Sequence, residues 1–104
     1  MQQKHLGGSK RALVREAAVS EVARKQLQEE LLPYVKSATK AFMQSRGIPE
    51  NRESELFEIG MEPFDRIFNI YLKNASNHND EVDFFDYYIW WMRQAIVAFL
   101  EMNP

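Results

Sequence analysis

The sequence contains no cysteine, and only four glycines and four prolines occur among its 104 residues. Without cysteine, neither a disulfide framework nor a thiolate metal site can form. The apolar runs are too short for a membrane span, and no charged-then-apolar leader opens the chain. His5 and His78 are far apart and have no carboxylate cluster at ligand spacing, so we expect no metal or other cofactor. These absences favour a cytoplasmic protein, and the length suits a single core.

The net charge of −2 hides an asymmetry between the two halves of the chain. Residues 1–49 hold nine Lys or Arg and four Asp or Glu, whereas residues 50–104 hold four Lys or Arg and eleven Asp or Glu. Such a division indicates either a bipolar surface or ion pairing between the halves.

Signals for β-structure are almost absent, because no segment alternates steadily and no Asn-Gly or Asp-Gly turn occurs. Helical periodicity recurs along the chain instead. We therefore predict an all-α fold, a compact multi-helix bundle. Residues 1–9, which include Gly7 and Gly8, are predicted to be a flexible leader before a single helical domain of residues 10–104.

Cap and breaker residues predict the helices of the first half. Ser9 is a candidate N-cap for a helix that reaches Leu27. Pro33 either kinks that helix or begins the next one. Residues 34–45 keep helical spacing, and Gly47 is the expected C-cap.

The second half is predicted to contain three helices. A short helix over residues 50–60 breaks near Gly60, and an apolar stripe from Phe64 to Tyr71 marks the next helix. Residues 73–80 are polar and rich in turn formers, which predicts a loop. Asp83 or its neighbour then opens a last helix that ends at about Glu101.

The last helix carries an unusual concentration of aromatic side chains. At 100° per residue, one predicted core stripe contains Phe84, Tyr88, Trp91, Ala95 and Phe99, with Met92 beside it. The opposite face gathers Asp86, Trp90, Arg93, Gln94, Val97 and Glu101. Because adjacent indoles cannot both face inward, we expect Trp90 to be exposed, with Tyr87 available at the flank. An exposed tryptophan beside arginine is typical of binding surfaces and suits the stacking of unpaired bases.

The segment FFDYYIWWMRQAI resembles the promoter-melting helix of bacterial RNA polymerase sigma factors, whose usual form is F-S-T-Y-A-x-W-W-I-R-Q-A-I. Residues 23–42 are similar to the A-R-x-x-L…K-x-Y helix of that family, residues 46–48 to its R-G-L turn, and residues 55–60 to its D-L-I-Q-E-G motif. The resemblance covers roughly residues 22–104 and implies the second-region domain of a sigma factor.

The resemblance implies a DNA-binding set of Phe84, Tyr87, Trp90, Trp91, Arg93 and Gln94. In the family's mechanism, aromatic side chains wedge into the −10 element and hold a flipped base. Trp90 and Trp91 would form the wedge, while Tyr87 and Phe84 would stack on the separated strand.

Two polar residues of that set and a second surface have separate implied roles. Gln94 would pair with adenine at the duplex edge, and Arg93 would contact phosphate. The implied partners are core RNA polymerase, single-stranded promoter DNA and a regulatory or anti-sigma protein. The implied contacts with the clamp of the largest polymerase subunit are Glu55, Leu56, Glu58 and Gly60.

The chain departs from the family where charge matters most. Asp86 replaces a threonine near the DNA, Val97 replaces another threonine, and Ala98 replaces a basic residue. Residues 80–104 contain five acids and one base, which is a poor electrostatic footprint for DNA. Two hypotheses therefore stay open. The favoured one is a divergent sigma factor that melts promoters, and the alternative is a sigma-like interaction module that regulates transcription with weak or no DNA binding.

An enzyme is a third class and fits poorly. The glutamates at positions 53, 55, 58 and 62 have the spacing of a solvated helix face. No histidine or lysine joins them in a catalytic arrangement, so we expect no enzymatic activity.

Overall fold

The computed structural model describes residues 6–78 and 83–104, and these residues form an all-α fold without strands. The prediction of a compact multi-helix bundle is therefore confirmed. The five α-helices are α1 (Leu6–Ala17), α2 (Glu21–Arg46), α3 (Glu53–Met61), α4 (Phe64–His78) and α5 (Phe84–Met102). A single 3₁₀ turn, Glu50–Arg52, precedes α3.

The boundary between α1 and α2 differs from the predicted one. Residues 6–9, predicted as part of a flexible leader, lie in α1, and residues 1–5 fall outside the described residues. Ser9 therefore does not cap a helix. Ser20 has that role, because its extended backbone lets its hydroxyl accept the Ala23 N–H at 3.2 Å. The long first helix predicted from Ser9 to Leu27 is divided at this point.

The predicted alternative in which Pro33 begins a new helix is wrong, because Pro33 lies inside α2, which is 26 residues long. The helix is stabilised instead by the complete burial of Leu27, Leu31 and Val35 on its inner face. Gly47 ends α2 with a φ of 67°, and the next N–H, that of Ile48, donates to the Met43 carbonyl at 2.9 Å. The predicted C-cap is confirmed.

The third and fourth helices begin close to their predicted positions, but α4 extends further. It includes Lys73 and ends at His78, so the predicted loop over residues 73–80 is wrong as far as His78. Residues 79–82 lie outside the described part of the chain. Relative to alanine, Asn and Ser each cost less than about 1 kcal/mol in a helix. Because an existing helix gains one hydrogen bond for each residue added, this small cost does not end α4 before His78.

Asp83 is the N-cap of α5, as predicted, and its carboxylate accepts the Asp86 N–H at 3.2 Å. Helix α5 packs against α2, α3 and α4. At its N-terminal end, the rings of Phe64, Phe68 and Phe84 meet with centroids 5.5–6.3 Å apart. Within the described residues, no helix has the length and apolarity needed to cross a membrane.

Candidate nucleic-acid interface

One face of α5 is open to solvent. Trp90 on this face is 54% exposed, so its predicted exposure is confirmed. The side chains that share the exposed face are Asp86, Trp90, Arg93, Gln94, Ala98 and Glu101, with Val97 half-buried among them. Arg93 and Gln94 follow Trp90 by three and four residues, which makes them its neighbours on the helix surface. An indole, a guanidinium and an amide are therefore exposed side by side on this face of α5.

The two tryptophans meet edge to face. Their ring centroids are 4.9 Å apart and their planes are inclined at 88°. Trp91 is half-buried and lies 6.3 Å from Tyr87, which in turn lies 5.2 Å from the buried ring of Tyr71 on α4. We name these four residues the aromatic ladder. Each such ring contact contributes about 0.5–1.5 kcal/mol beyond burial, so the ladder supports Trp90 from the core outward.

Phe84 does not belong to the accessible part of this site. It is only 2% exposed and its ring packs 5.1 Å from Tyr71 and 5.5 Å from Phe68. Its predicted position in the core stripe is confirmed, and its inclusion among the base-stacking residues is corrected, because no ring face is free for a base. The core also contains Phe85 and Ile96, which the predicted stripe omitted, whereas Trp91, Ala95 and Phe99 are only half-buried.

A buried hydrogen bond joins α5 to α3. The Tyr88 hydroxyl donates to the Gly60 carbonyl at 2.7 Å. Burial raises the pKa of Tyr88 far above its usual value of about 10, so the hydroxyl remains a donor. A Cβ at Gly60 would lie 3.0 Å from the Met92 methyl, so the helices approach closely at this glycine. Periodicity predicts Tyr88 in the core but carries no signal for its partner, 28 residues away.

The predicted polymerase-binding set divides into buried and exposed members. Leu56 and Gly60 are buried in the bundle, so their assignment as contact residues is corrected: they hold α3 in place. Glu55 and Glu58 are exposed on the outer face of α3. The Glu55 carboxylate also pairs with the Arg52 guanidinium at 3.0 Å, and Arg52 donates to the Asn103 carbonyl at 3.0 Å.

A groove of about 590 Å³ runs between α2 and α3. The exposed Leu32 and the half-buried Phe57 and Met61 provide its apolar surface. Lys25 lines it from α2, and Glu58 lines it from α3. The sequence carries no local signal for this groove, because its two walls lie more than twenty residues apart in the chain.

The charged side chains along α5 and at its N-cap are mainly negative. Asp83 and Asp86 lie at the N-terminal end of α5 and Glu101 at its C-terminal end, while Arg93 is the only cationic side chain within α5. A strand stacked on Trp90 would meet one positive group on this helix and a carboxylate one turn away.

No family model matches this chain, and neither the curated proteins nor the solved structures with which it was compared give a match. The geometry alone thus defines an all-α bundle with an exposed tryptophan on its last helix.

Proposed function

We propose that this chain is a sigma-factor-like domain, with the fold of the family's second-region domain, that binds core RNA polymerase and melts the promoter −10 element. The observation that carries the proposal is Trp90, 54% exposed beside Arg93 and Gln94 and held edge-on by Trp91. A rigid indole in this setting suits stacking on an unpaired base, which typically contributes about 1–3 kcal/mol. This function assigns the protein to the cytoplasm, where transcription takes place.

The residues of the exposed face have separate roles in the proposal. Trp90 stacks on a base at the upstream edge of the melted segment, and Trp91 supports it from below. Tyr87, half-buried beside Trp91, offers a second ring to the separated strand. Gln94 reads adenine at the duplex edge, since an amide can both donate to and accept from that base. Arg93 contacts phosphate and positions the strand without reading sequence.

The proposed polymerase contact is formed by other helices than the one that carries Trp90. The groove between α2 and α3 offers Leu32, Phe57 and Met61 as an apolar surface. The exposed carboxylates of Glu55 and Glu58 lie on the same helix as the last two of these residues. Apolar contacts with flanking charges suit a helical element of the polymerase clamp. Because none of the groove's lining residues belongs to α5, we expect that the domain can bind DNA and polymerase together.

The DNA arm of the proposal is tested with a promoter that carries a fluorescent base in its −10 element, mixed with core polymerase and the domain. Melting should raise the base fluorescence. Trp90→Ala should lower this fluorescence increase, because loss of the stacking contact weakens binding of the melted strand about fivefold to a hundredfold. Met102→Ala, which truncates another exposed apolar side chain of α5, is the matched control and should have little effect. Equal melting by the wild type and Trp90→Ala would contradict the assigned role.

The polymerase arm is tested by co-purification of tagged domain with the large polymerase subunits. Glu58→Lys reverses a charge beside the groove and should reduce recovery. Glu16→Lys makes the same change at an exposed position on α1 and should leave recovery unchanged. Absence of polymerase from the wild-type eluate would contradict this arm.

The second candidate is a sigma-like module that regulates transcription through protein contacts, with weak or no DNA binding. The carboxylates of Asp83, Asp86 and Glu101 along α5 favour it, because carboxylates repel a phosphate backbone. Retention of polymerase together with no strand binding, even in the polymerase complex, would select this alternative.

A further inference from the structure

We propose that Asp86 restrains strand binding at Trp90, so that the exposed face of α5 binds DNA tightly only once the charge of this carboxylate is neutralised. The inference rests on the proposed function, because it assumes that Trp90 is the site of stacking. It adds a charge-dependent control of affinity at that site.

Asp86 is exposed and lies four residues before Trp90 on the same face of α5. Side chains four residues apart on a helix have Cβ atoms about 5–6 Å apart. This distance is shorter than the screening length of about 8 Å at physiological salt, so a phosphate beside the indole experiences the carboxylate.

The attraction that α5 itself offers a strand is small. Arg93 is the only cationic side chain on α5. Single-strand affinity depends on the number of phosphates neutralised, with a salt slope of about 0.7 for each. Because Asp86 opposes Arg93, the charges of α5 near Trp90 give almost no net electrostatic attraction. Neutralising Asp86 would leave the positive charge of Arg93 unopposed by its nearest carboxylate on this face.

The other carboxylates of this segment, Asp83 and Glu101, differ from Asp86 in role or in distance from Trp90. The Asp83 carboxylate accepts the Asp86 N–H at 3.2 Å and serves as the N-cap, so its removal would disturb the helix. Glu101 is exposed on the same face, but it lies eleven residues beyond Trp90, about 16 Å along the axis. Screening makes a charge at that distance ineffective. Asp86→Asn and Glu101→Gln thus remove the same charge at a near and a far position.

The experiment measures binding of a short fluorescein-labelled oligothymidylate to the polymerase-free domain by fluorescence anisotropy. We expect weak binding by the wild type and by Glu101→Gln. At physiological salt, Asp86→Asn should bind about three- to tenfold more tightly than the wild type. Asp86→Lys should bind more tightly still, with a slope against salt that is steeper by about 0.7. Circular dichroism verifies that each variant keeps its helices, since Asp86 also favours the first turn of α5.

Three outcomes would overturn the inference. These are wild-type binding as tight as that of Asp86→Lys, equal gains from Asp86→Asn and Glu101→Gln, and no gain in any Asp86 variant. A failure of the proposed function gives a different result. In that case Asp86→Lys binds the strand but the added substitution Trp90→Ala does not weaken it, which would locate the strand elsewhere. Promoter melting by the wild-type polymerase complex reports on the proposed function independently of Asp86.

Discussion

Removal of the buried hydroxyl in Tyr88→Phe should destabilise the fold with little change in shape. Tyr88 is fully buried, and its hydroxyl donates to the Gly60 carbonyl over 2.7 Å. A neutral hydrogen bond contributes about 1 kcal/mol, and a buried acceptor left without a donor costs about 1–3 kcal/mol. We therefore expect a loss of roughly 1–3 kcal/mol in the free energy of unfolding. For a domain of this size, each kcal/mol corresponds to a fall in Tm of about 4–8 °C.

The same substitution should change the response of stability to alkaline pH. The pKa of Tyr88 is raised in the folded state, whereas an unfolded tyrosine titrates near 10. The favourable contribution of the neutral hydroxyl is thus complete below about pH 10 and is lost as the unfolded chain releases its proton. Linkage lowers the free energy of unfolding of the wild type by about 1.4 kcal/mol between about pH 9 and pH 11. Tyr88→Phe does not show this decrease, because it lacks the titrating hydroxyl. The deficit of the variant relative to wild type should therefore shrink over that interval.

Urea unfolding monitored by circular dichroism measures both effects, at neutral pH and at intervals over the same alkaline range. Tyr87→Phe is the matched control, because it removes the hydroxyl of a half-buried tyrosine on the same helix. It should change stability by less than about 0.5 kcal/mol. A deficit for Tyr88→Phe that is equally small, or one that stays constant with pH, would refute the role assigned to the hydrogen bond.

Three further predictions concern the fold and the exposed face. Gly60→Leu should lower the free energy of unfolding by about 1–3 kcal/mol, because the new Cβ would lie 3.0 Å from the Met92 methyl and overpack the core. Chemical denaturation measures this decrease. Gly47→Ala should cost about 1 kcal/mol in thermal unfolding, because its φ of 67° disfavours a side chain; an unchanged Tm would argue against the left-handed C-cap. Trp90→Ala should lower the free energy of unfolding by about 0.5–1.5 kcal/mol, the contribution of its ring contact with Trp91, since the indole is 54% exposed. A loss of about 3–5 kcal/mol, typical of a buried tryptophan, would mean that the indole serves the core.

Local chemistry makes several features of this fold predictable. Gly47 is identifiable as a C-cap because the left-handed conformation favours glycine, and Asp83 as an N-cap because its carboxylate can accept a free N–H of the first turn. The division of α5 into an exposed and a buried face follows from the helical period, which correctly predicts that Trp90 lies outside. Each of these signals lies within a few residues of the feature that it predicts.

Other features escape prediction because the competing energies are too similar. Ser9 and Ser20 are both acceptable caps, and only the packing of Leu13, Val14 and Ala17 on α2 distinguishes a short α1 from one long helix. The polar residues at the end of α4 favour a loop by composition, although their individual helix propensities are only slightly unfavourable.

Interactions between neighbours along the chain were sufficient to predict the all-α class, two of the helix caps and the outward position of Trp90. The remaining features required the packed bundle: the enclosure of both faces of the Phe84 ring, the bond from Tyr88 to Gly60, and the groove between α2 and α3. These contacts join residues far apart in sequence. Their geometry depends on the simultaneous close packing of several helices, which no local pattern encodes.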